Sequence, residues 1–354
     1  MATTFAVPDG RVAMAATTYT GTNATLAVSN AVNTVSFQPD LVWLKSRSIG
    51  ASSHALYDTN RGARVMLQSN TTIADFTDSA GVGMTAFNAN GFSLGTDTAA
   101  SSCSVNGNGV TFIGWQWKAG GTAVSNTAGT ITSSVSANTT AGFSVVTYTG
   151  TGANATVGHG LGVAPSMVIV KNRSSGVDGW PIYHVGLTSA TFFIKLNSTD
   201  AQASAASIWN STAPTLSVFS VGTSTGTNQS ANTYVAYCWA PVAGYSAFGS
   251  YTGNGSADGP FIYTGFRPRW VMIKCSSAAG GWKIYNTSGL TYNTINTALE
   301  AQDAAAEVNS SSFNSDWLSN GFKLRTTYAD FNTSGATYIY ACFAENPLKF
   351  SNAR

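Results

Sequence analysis

Short apolar runs, rather than helical periodicity, organise this chain. Four-residue apolar runs bounded by turn residues occur at 41–44, 167–170 and 270–273. Runs of this length without a polar position indicate strands that are buried on both faces. Apolar and aromatic runs at 111–117, 233–239 and 337–343 predict further central strands with both faces covered. We therefore predict an all-β chain of short antiparallel strands.

These runs belong to one unit that occurs three times. Each copy begins with Tyr-Thr-Gly, continues through a proline to an apolar strand that ends in lysine, and closes with an aromatic strand. The tyrosines, prolines and lysines are Tyr19, Pro39 and Lys45 in the first copy, Tyr148, Pro165 and Lys171 in the second, and Tyr251, Pro268 and Lys274 in the third. Proline precedes lysine by the same number of residues each time. Each copy has about 100 residues, which is the usual size of one domain.

The repeat predicts three tandem antiparallel β-sandwich domains of the jelly-roll, lectin-like type, because turn signals separate many short strands. We place them at 17–118, 143–243 and 244–354, the last with a short C-terminal tail. Residues 1–16 are predicted to form an N-terminal arm, and 119–142 an ordered connector with strand-like alternation. The window 297–308 is rich in Ala, Glu and Gln, and the matching windows from Leu67 and from Leu196 are rich in Ser, Thr and Asn. We predict that each copy has a variable surface excursion here, with at most a short helix in the third copy.

The composition excludes several classes of protein. Charged residues make up only 9% of the chain, against about 25% in an average soluble protein. The 44% hydrophobic content argues against disorder, and a net charge of +2 without a basic cluster argues against nucleic-acid binding. No apolar stretch is long enough to span a membrane, and no signal peptide is recognisable. We expect no membrane insertion.

The titratable residues show no catalytic or metal-binding pattern. None of the 15 acidic residues recurs at one place in all three copies; Asp40, for example, is matched by Ser166 and Arg269. The paired carboxylates of a glycosidase and a Ser-His-Asp arrangement are therefore not indicated. The 4 cysteines lack Cys-x-x-Cys spacing and are expected to be reduced core residues. We predict no catalytic residues, no metal and no cofactor, and hence not an enzyme.

Tryptophans offer the best candidates for binding. Sugar sites combine aromatic faces with amide and hydroxyl groups, and loops on rigid sandwiches commonly carry binding residues. Trp209 and Trp317 lie in the variable excursions, so we expect them to be exposed candidates for contact with a glycan. Core or inter-repeat packing is the alternative for these residues, as it is for Trp180 and Trp282, because indole rings bury a large apolar area.

The recurring motifs resemble a repeat of virion structural proteins from tailed bacteriophages, including proteins labelled tail fibre. The similar features are Tyr-Thr-Gly, the Pro-to-Lys strand, Asn-Gly-Phe, the segment Thr-Phe-Ile-Gly-Trp-Gln-Trp-Lys-Ala-Gly-Gly at 111–121, and the ending from residue 340. The resemblance covers roughly 17–354. It implies a jelly-roll sandwich related in shape to laminin-G and concanavalin-type lectins, and it brings no established catalytic residues. The second copy lacks Asn-Gly-Phe, and Phe343 replaces the last tryptophan in the third.

The resemblance implies a bacteriophage virion protein of the tail-fibre or adhesin type, which contacts a host-surface glycan or another virion protein. A head fibre, capsid decoration or collar protein without a receptor role is the main alternative. A polysaccharide-degrading enzyme and a bacterial surface lectin are remote ones. We expect synthesis in the host cytoplasm and a final location in the virion. With few charges to protect strand edges, a homo-oligomer is predicted, with a trimer favoured.

Overall fold

The structure is a computed structural model that describes residues 6–98, 100, 102–288 and 292–344. Strands hold 42% of the residues and helices 5%. The strands pair antiparallel in several stacked sheets. This confirms the predicted all-β, sandwich-type fold.

The described residues of the first unit form nine strands: β1 (Met14–Thr20), β2 (Leu26–Ser29), β3 (Leu41–Ser46), β4 (Ala55–Asp58), β5 (Val65–Met66), β6 (Phe76–Thr77), β7 (Met84–Asn88), β8 (Gly91–Leu94) and β9 (Thr111–Trp117). The second contains ten strands and two helical turns: β10 (Val124–Asn126), β11 (Ser133–Asn138), β12 (Phe143–Thr149), β13 (Ala155–Gly158), β14 (Met167–Asn172), β15 (Pro181–His184), β16 (Phe192–Lys195), β17 (Ala203–Ser204), α1 (Ala206–Trp209), β18 (Val218–Val221), α2 (Thr225–Asn228) and β19 (Thr233–Trp239). The third contains β20 (Ser246–Thr252), β21 (Phe261–Tyr263), β22 (Pro268–Cys275), β23 (Lys283–Asn286), β24 (Thr297–Glu300), β25 (Val308–Asn309), β26 (Ser315–Leu318), β27 (Gly321–Leu324), α3 (Ala329–Asn332) and β28 (Thr337–Ala344). Single 3₁₀ turns lie at Gly10–Val12 and Ser311–Phe313.

Each unit has the same inner sheet. The Tyr-Thr-Gly strand pairs with the closing strand, and the closing strand pairs with the Lys-terminated strand. The Lys-terminated strand pairs in turn with the strand that carries Tyr57, Tyr183 or Tyr285. The three orders are β1-β9-β3-β4, β12-β19-β14-β15 and β20-β28-β22-β23. A smaller outer sheet covers one face of each inner sheet: β2-β8-β7, β13-β18 and β21-β27-β26. The repeated sequence skeleton therefore encodes one sandwich topology.

The other face of every inner sheet meets the two neighbouring units. In β3, Val42 and Leu44 face the first unit's own sandwich core, whereas Leu41 and Trp43 join a central cluster drawn from all three units. This alternation follows from the two-residue period of a strand. At the centre, the ring of Trp117 lies 6.0 Å from Trp239 and 5.7 Å from Phe343. The closing strands thus share one aromatic core, and the units form a ring rather than a string.

Side-chain hydrogen bonds connect each unit to the next. Asn60 Nδ2 of unit one donates to Val145 O in β12 of unit two. His184 of unit two bonds Tyr340 O of unit three. Ser288 Oγ of unit three donates at 2.7 Å to Ala16 O in β1 of unit one. The contacts run from one to two, two to three and three to one, so the ring is closed within a single chain.

Buried lysines bind the units in the opposite direction. Lys171 Nζ of unit two donates to Thr72 O of unit one at 2.8 Å. The matching bonds are Lys274 Nζ to Thr199 O, from unit three to unit two, and Lys45 Nζ to Ala304 O, from unit one to unit three. All three lysines are fully buried, and burial lowers the pKa of each to about 8. The invariant strand-ending lysine of the repeat is therefore an inter-unit contact.

Unit two shows why the Tyr-Thr-Gly motif recurs. The ring of Tyr148 stacks on Tyr234 at 5.1 Å, and its hydroxyl donates to Thr227 O. A Cβ at Gly150 would lie 2.3 Å from Gln229 O, so only glycine fits. The side chain of Asn228 is fully buried and hydrogen-bonds backbone groups of the two chain segments that meet beside Gly150. The counterparts are Tyr19, Gly21 and Asn106, and Tyr251, Gly253 and Asn332.

Several predicted boundaries need correction. The predicted arm at 1–16 overlaps β1, which begins at Met14 and pairs with the closing strand, and Val7 is already buried. Within 119–142, β10 and β11 extend the inner sheet of unit two. The helical option at 297–308 is wrong: β24 and β25 form there, since Ala298 and Leu299 pack into the core. The predicted C-terminal tail lies outside the described residues.

Candidate functional site

The tryptophans proposed for glycan contact are not accessible. Trp209 and Trp317 are each only 2% exposed. Trp209 ends α1 and its ring packs edge-on against Tyr183 at 6.3 Å. Trp317 lies on the inward face of β26, where it packs against Tyr285 at 6.4 Å. The expectation that these side chains are exposed is wrong, because both excursions fold back onto their own sandwich.

Trp180 and Trp282 contact the neighbouring unit, as the prediction of inter-repeat packing for these residues states. Trp180 Nε1 donates to Gln68 O of unit one at 3.0 Å, and Trp282 Nε1 donates to Lys195 O of unit two at 2.8 Å. In unit one His54 takes this position and bonds Glu300 O of unit three. Burial lowers the pKa of His54 to about 3, so the ring is neutral and Nε2–H is the donor.

No group of three or more His, Cys, Asp or Glu side chains that could hold a metal occurs among the residues the structure describes. The 4 cysteines are free and buried. Asp58 forms a fully buried ion pair with Arg61. A cleft of about 430 Å³ lies beside Asp40, but the carboxylate already accepts from Thr59 Oγ1 and from the amide of Ala119. These groups serve the fold.

An exposed aromatic strand in unit three is the best candidate for a binding surface. In β21, Phe261 is 42% and Tyr263 68% exposed, while Ile262 between them points into the core. Across the sheet, Tyr263 faces Gly321, and Leu318 faces the same glycine from the far strand. Gly321 has no side chain, and the ring of Phe261 lies over it. We call Phe261, Tyr263 and Leu318 the aromatic face.

The fold does not require these aromatic side chains. The register that pairs Ile262 with Phe322 pairs Val28 with Phe92 in unit one and Val157 with Phe219 in unit two. The positions of Phe261 and Tyr263 are therefore occupied by Ala27 and Ser29 in unit one, and by Thr156 and Gly158 in unit two. Since the same sheet forms with small or polar residues there, packing alone gives no reason for two exposed rings.

A charged rim borders the aromatic face. Lys323, opposite Phe261, forms a 3.0 Å ion pair with Asp258. Arg325 bridges Asp258 at 3.0 Å and Asp316 at 2.6 Å. The hydrogen bond from Lys323 lowers the pKa of the Asp258 carboxyl. Exposed pairs of this kind contribute little to stability, but they hold donors and acceptors in place beside the rings.

Sequence reasoning missed this surface. Phe-Ile-Tyr at 261–263 is an uninterrupted apolar run, which by itself does not indicate two outward side chains. Comparison with the equivalent strands would have singled out the aromatic pair, but those strands are too short to align without the sheet register. The described residues also contain no helix long and apolar enough to cross a membrane.

The fold and these surfaces define a class of protein: a closed ring of three β-sandwich units around one aromatic core. The chain belongs to the family described as Domain of unknown function (DUF7483), whose model matches residues 12–347. That match runs through all three units, so the family corresponds to the whole ring. Comparisons with curated proteins and with solved structures gave no match.

Proposed function

We propose that this protein is a bacteriophage virion component of the adhesin type, and that its aromatic face binds a host-surface glycan. The aromatic face is the observation that supports the glycan assignment. The virion assignment is supported by the resemblance of the repeated motifs to tailed-phage structural proteins. The low content of charged residues and the shared core suit a particle component, which needs kinetic stability more than plasticity.

The chemistry of the aromatic face suits a sugar. The C–H face of a pyranose packs on exposed aromatic rings, and hydroxyl groups exchange hydrogen bonds with nearby charged or amide groups. Phe261 and Tyr263 supply the rings, while Lys323, Asp258 and Arg325 supply donors and acceptors. A site of two rings binds weakly by itself, but several copies on one particle would raise the apparent affinity by multivalency.

The test replaces the rings with the residues that unit one carries. A Phe261→Ala, Tyr263→Ser double variant should fold normally and lose at least about tenfold in binding to a printed array of bacterial surface polysaccharides. Leu216→Ser, at a 65% exposed apolar residue of unit two, is the matched control and should bind like the wild type. Equal binding by the double variant, or no binding by the wild type, would contradict the glycan proposal.

A head-fibre, decoration or collar role is the second candidate, and the closed ring favours it. Three units that share one core form a compact body, whereas a fibre usually extends its repeats along an axis. Counting copies per purified particle by quantitative mass spectrometry separates the two candidates. A few dozen copies or fewer near the tail support the adhesin, and hundreds support decoration. Absence from particles contradicts both.

The homo-oligomer stays a prediction, but one argument for it has changed. We expected other copies of the chain to cover its strand edges, and contacts between units already cover part of the edge strands β1 and β20. Light scattering coupled to size-exclusion chromatography tests the prediction directly. A stable monomer at micromolar concentration would contradict it.

A further inference from the structure

Unit three contains a Lys–Glu–Asp cluster around a buried amine. Lys283 in β23 is paired directly with Glu300 in β24, and its Nζ contacts Glu300 Oε1. The same Nζ lies 3.0 Å from Asp330 Oδ2 in α3. The side chain of Lys283 is only 3% exposed, and the ring of Phe313 covers Nζ at 5.3 Å from the centroid. The amine is therefore buried beside an aromatic ring, whereas the side chains of Glu300 and Asp330 are 21% and 14% exposed.

The fold does not need this cluster. In unit two Pro181 takes the place of Lys283 and is paired with Lys195, the counterpart of Glu300. Gly226, two residues before the buried asparagine of that unit, takes the place of Asp330 and lies beside Pro181. In unit two, an apolar contact between Pro181 and Gly226 therefore takes the place of the charged cluster. Unit three instead places three reactive side chains together at this spot.

The surrounding residues bring the three groups close and polarise one of them. A Cβ at Gly281 would lie 2.7 Å from Glu300 Oε2 and 3.0 Å from Lys283 Nζ, so glycine leaves room for their approach. Gln302 Nε2 donates to Glu300 Oε2. This bond places a donor on the oxygen that would become negative if an amine attacked the carboxyl carbon, as an oxyanion hole does.

We propose that Lys283 and Glu300 condense to an intramolecular isopeptide bond, with Asp330 as the proton carrier. Nζ of Lys283 attacks Cδ of Glu300, the Nζ–Cδ bond forms and the Cδ–Oε1 bond breaks. Two protons of the ammonium group leave with Oε1 as one water molecule, and the Asp330 carboxyl relays them. The net charge of the pair is zero before and after, and no oxidant, reductant or cofactor is required.

The reaction starts from an ion pair. Burial opposes the charge on Lys283, but the hydrogen bonds to Glu300 and Asp330 outweigh it and raise the pKa of the amine. A proton must therefore pass from Nζ to a carboxylate before attack. Low polarity assists this step, because it favours a neutral amine beside a neutral acid over two separated charges. The amide then persists under native conditions, because uncatalysed amide hydrolysis is very slow.

The bond would close a covalent loop from Lys283 in β23 to Glu300 in β24. A cross-link of this kind restricts the unfolded chain, as a disulfide does, and does not depend on the redox environment. It would fasten the excursion to the ring, where Glu300 O and Ala301 O also accept bonds from His54 and Ser69 of unit one.

Intact-mass spectrometry of the denatured wild-type protein tests the proposal. The expected mass is lower than the sequence mass by one water molecule, and digestion should yield a branched peptide joining Lys283 to Glu300. Lys283→Arg and Glu300→Ala should both have their full sequence masses. Asp330→Asn should convert slowly or incompletely, and Lys195→Arg, at the equivalent site of unit two, should still lose water.

Each other outcome overturns the proposal. A wild-type mass equal to the sequence mass means that the cluster is an ordinary ion pair. A loss of water that persists in Lys283→Arg arises elsewhere in the chain. A branched peptide that joins Lys283 to Asp330 contradicts the assignment of Glu300 as the acceptor. The wild-type measurement does not depend on whether any variant folds.

Discussion

Replacing Lys171 by methionine tests the idea that the repeat's lysines hold the ring together. The ammonium group of Lys171 is fully buried and donates to Thr72 O and Asp178 O, each at 2.8 Å. Methionine fills a similar volume but leaves both carbonyls without this donor. Orphaned buried acceptors cost about 1–3 kcal/mol each, and relief of the buried charge offsets part of this. We expect a loss of about 2 kcal/mol in unfolding free energy at pH 7.5.

The pH dependence makes this prediction specific to the lysine. Burial lowers the pKa of Lys171 from 10.5 to about 8 in the folded protein. A depressed lysine pKa means that the unfolded chain binds more protons between these values, so stability from this group rises with pH. From pH 7.5 to pH 9.5 the wild type gains about 2 kcal/mol that the variant cannot gain. The difference between them should therefore grow from about 2 to about 4 kcal/mol.

Urea denaturation followed by tryptophan fluorescence measures this difference, since the chain has 9 tryptophans. Ionisation of tyrosines and cysteines affects both proteins alike and cancels in the comparison. Lys118→Met, at an exposed lysine, is the control and should change stability by less than about 0.5 kcal/mol at any of these pH values. A difference for Lys171→Met that stays constant or shrinks with rising pH would refute the reasoning.

Three further predictions follow from the packing. Asn228→Ala should lose about 3 kcal/mol of unfolding free energy, since its side chain bonds three backbone groups; exposed Asn154→Ala is the control, and equal losses would contradict the assigned role. Trp117→Ala should cost about 4 kcal/mol and weaken all three units in one transition, because its ring contacts the other two units, including Phe343; separate transitions by calorimetry would argue against a shared core. A thiol reagent should label no cysteine in the native protein and 4 after denaturation, since all are buried and burial raises the pKa of Cys238 to about 12; rapid native labelling would contradict their burial.

The sequence predicted the strands well, because the apolar pattern of a strand involves only residues that are close together in the chain. The runs at 41–44 and 167–170 are buried on both faces, as uninterrupted apolar runs indicate. The helical option at 297–308 failed because Ala and Glu favour helices only where packing leaves the choice open. There Leu299 packs into the core and Glu300 pairs with Lys283, so the tertiary context selected a strand.

The candidate site was harder to predict because exposure is not a local property. Trp209 and Trp317 occupy variable excursions, yet their side chains turn inward. Phe261 and Tyr263 look like an ordinary strand in the sequence, yet their side chains face solvent. Which face of a strand is buried depends on what its sheet packs against, and the residues that pack there lie far away in the chain.

The sequence alone determined the unit, its three copies and its antiparallel strands, because glycine, proline and alternating apolar positions act through nearby atoms. It also showed that Lys45, Lys171 and Lys274 occupy one position of the repeat. Only the tertiary structure decided that these lysines reach into neighbouring units and that the closing strands meet at one aromatic core. Ring closure joins residues up to 272 positions apart, and no local pattern specifies which distant surfaces will meet.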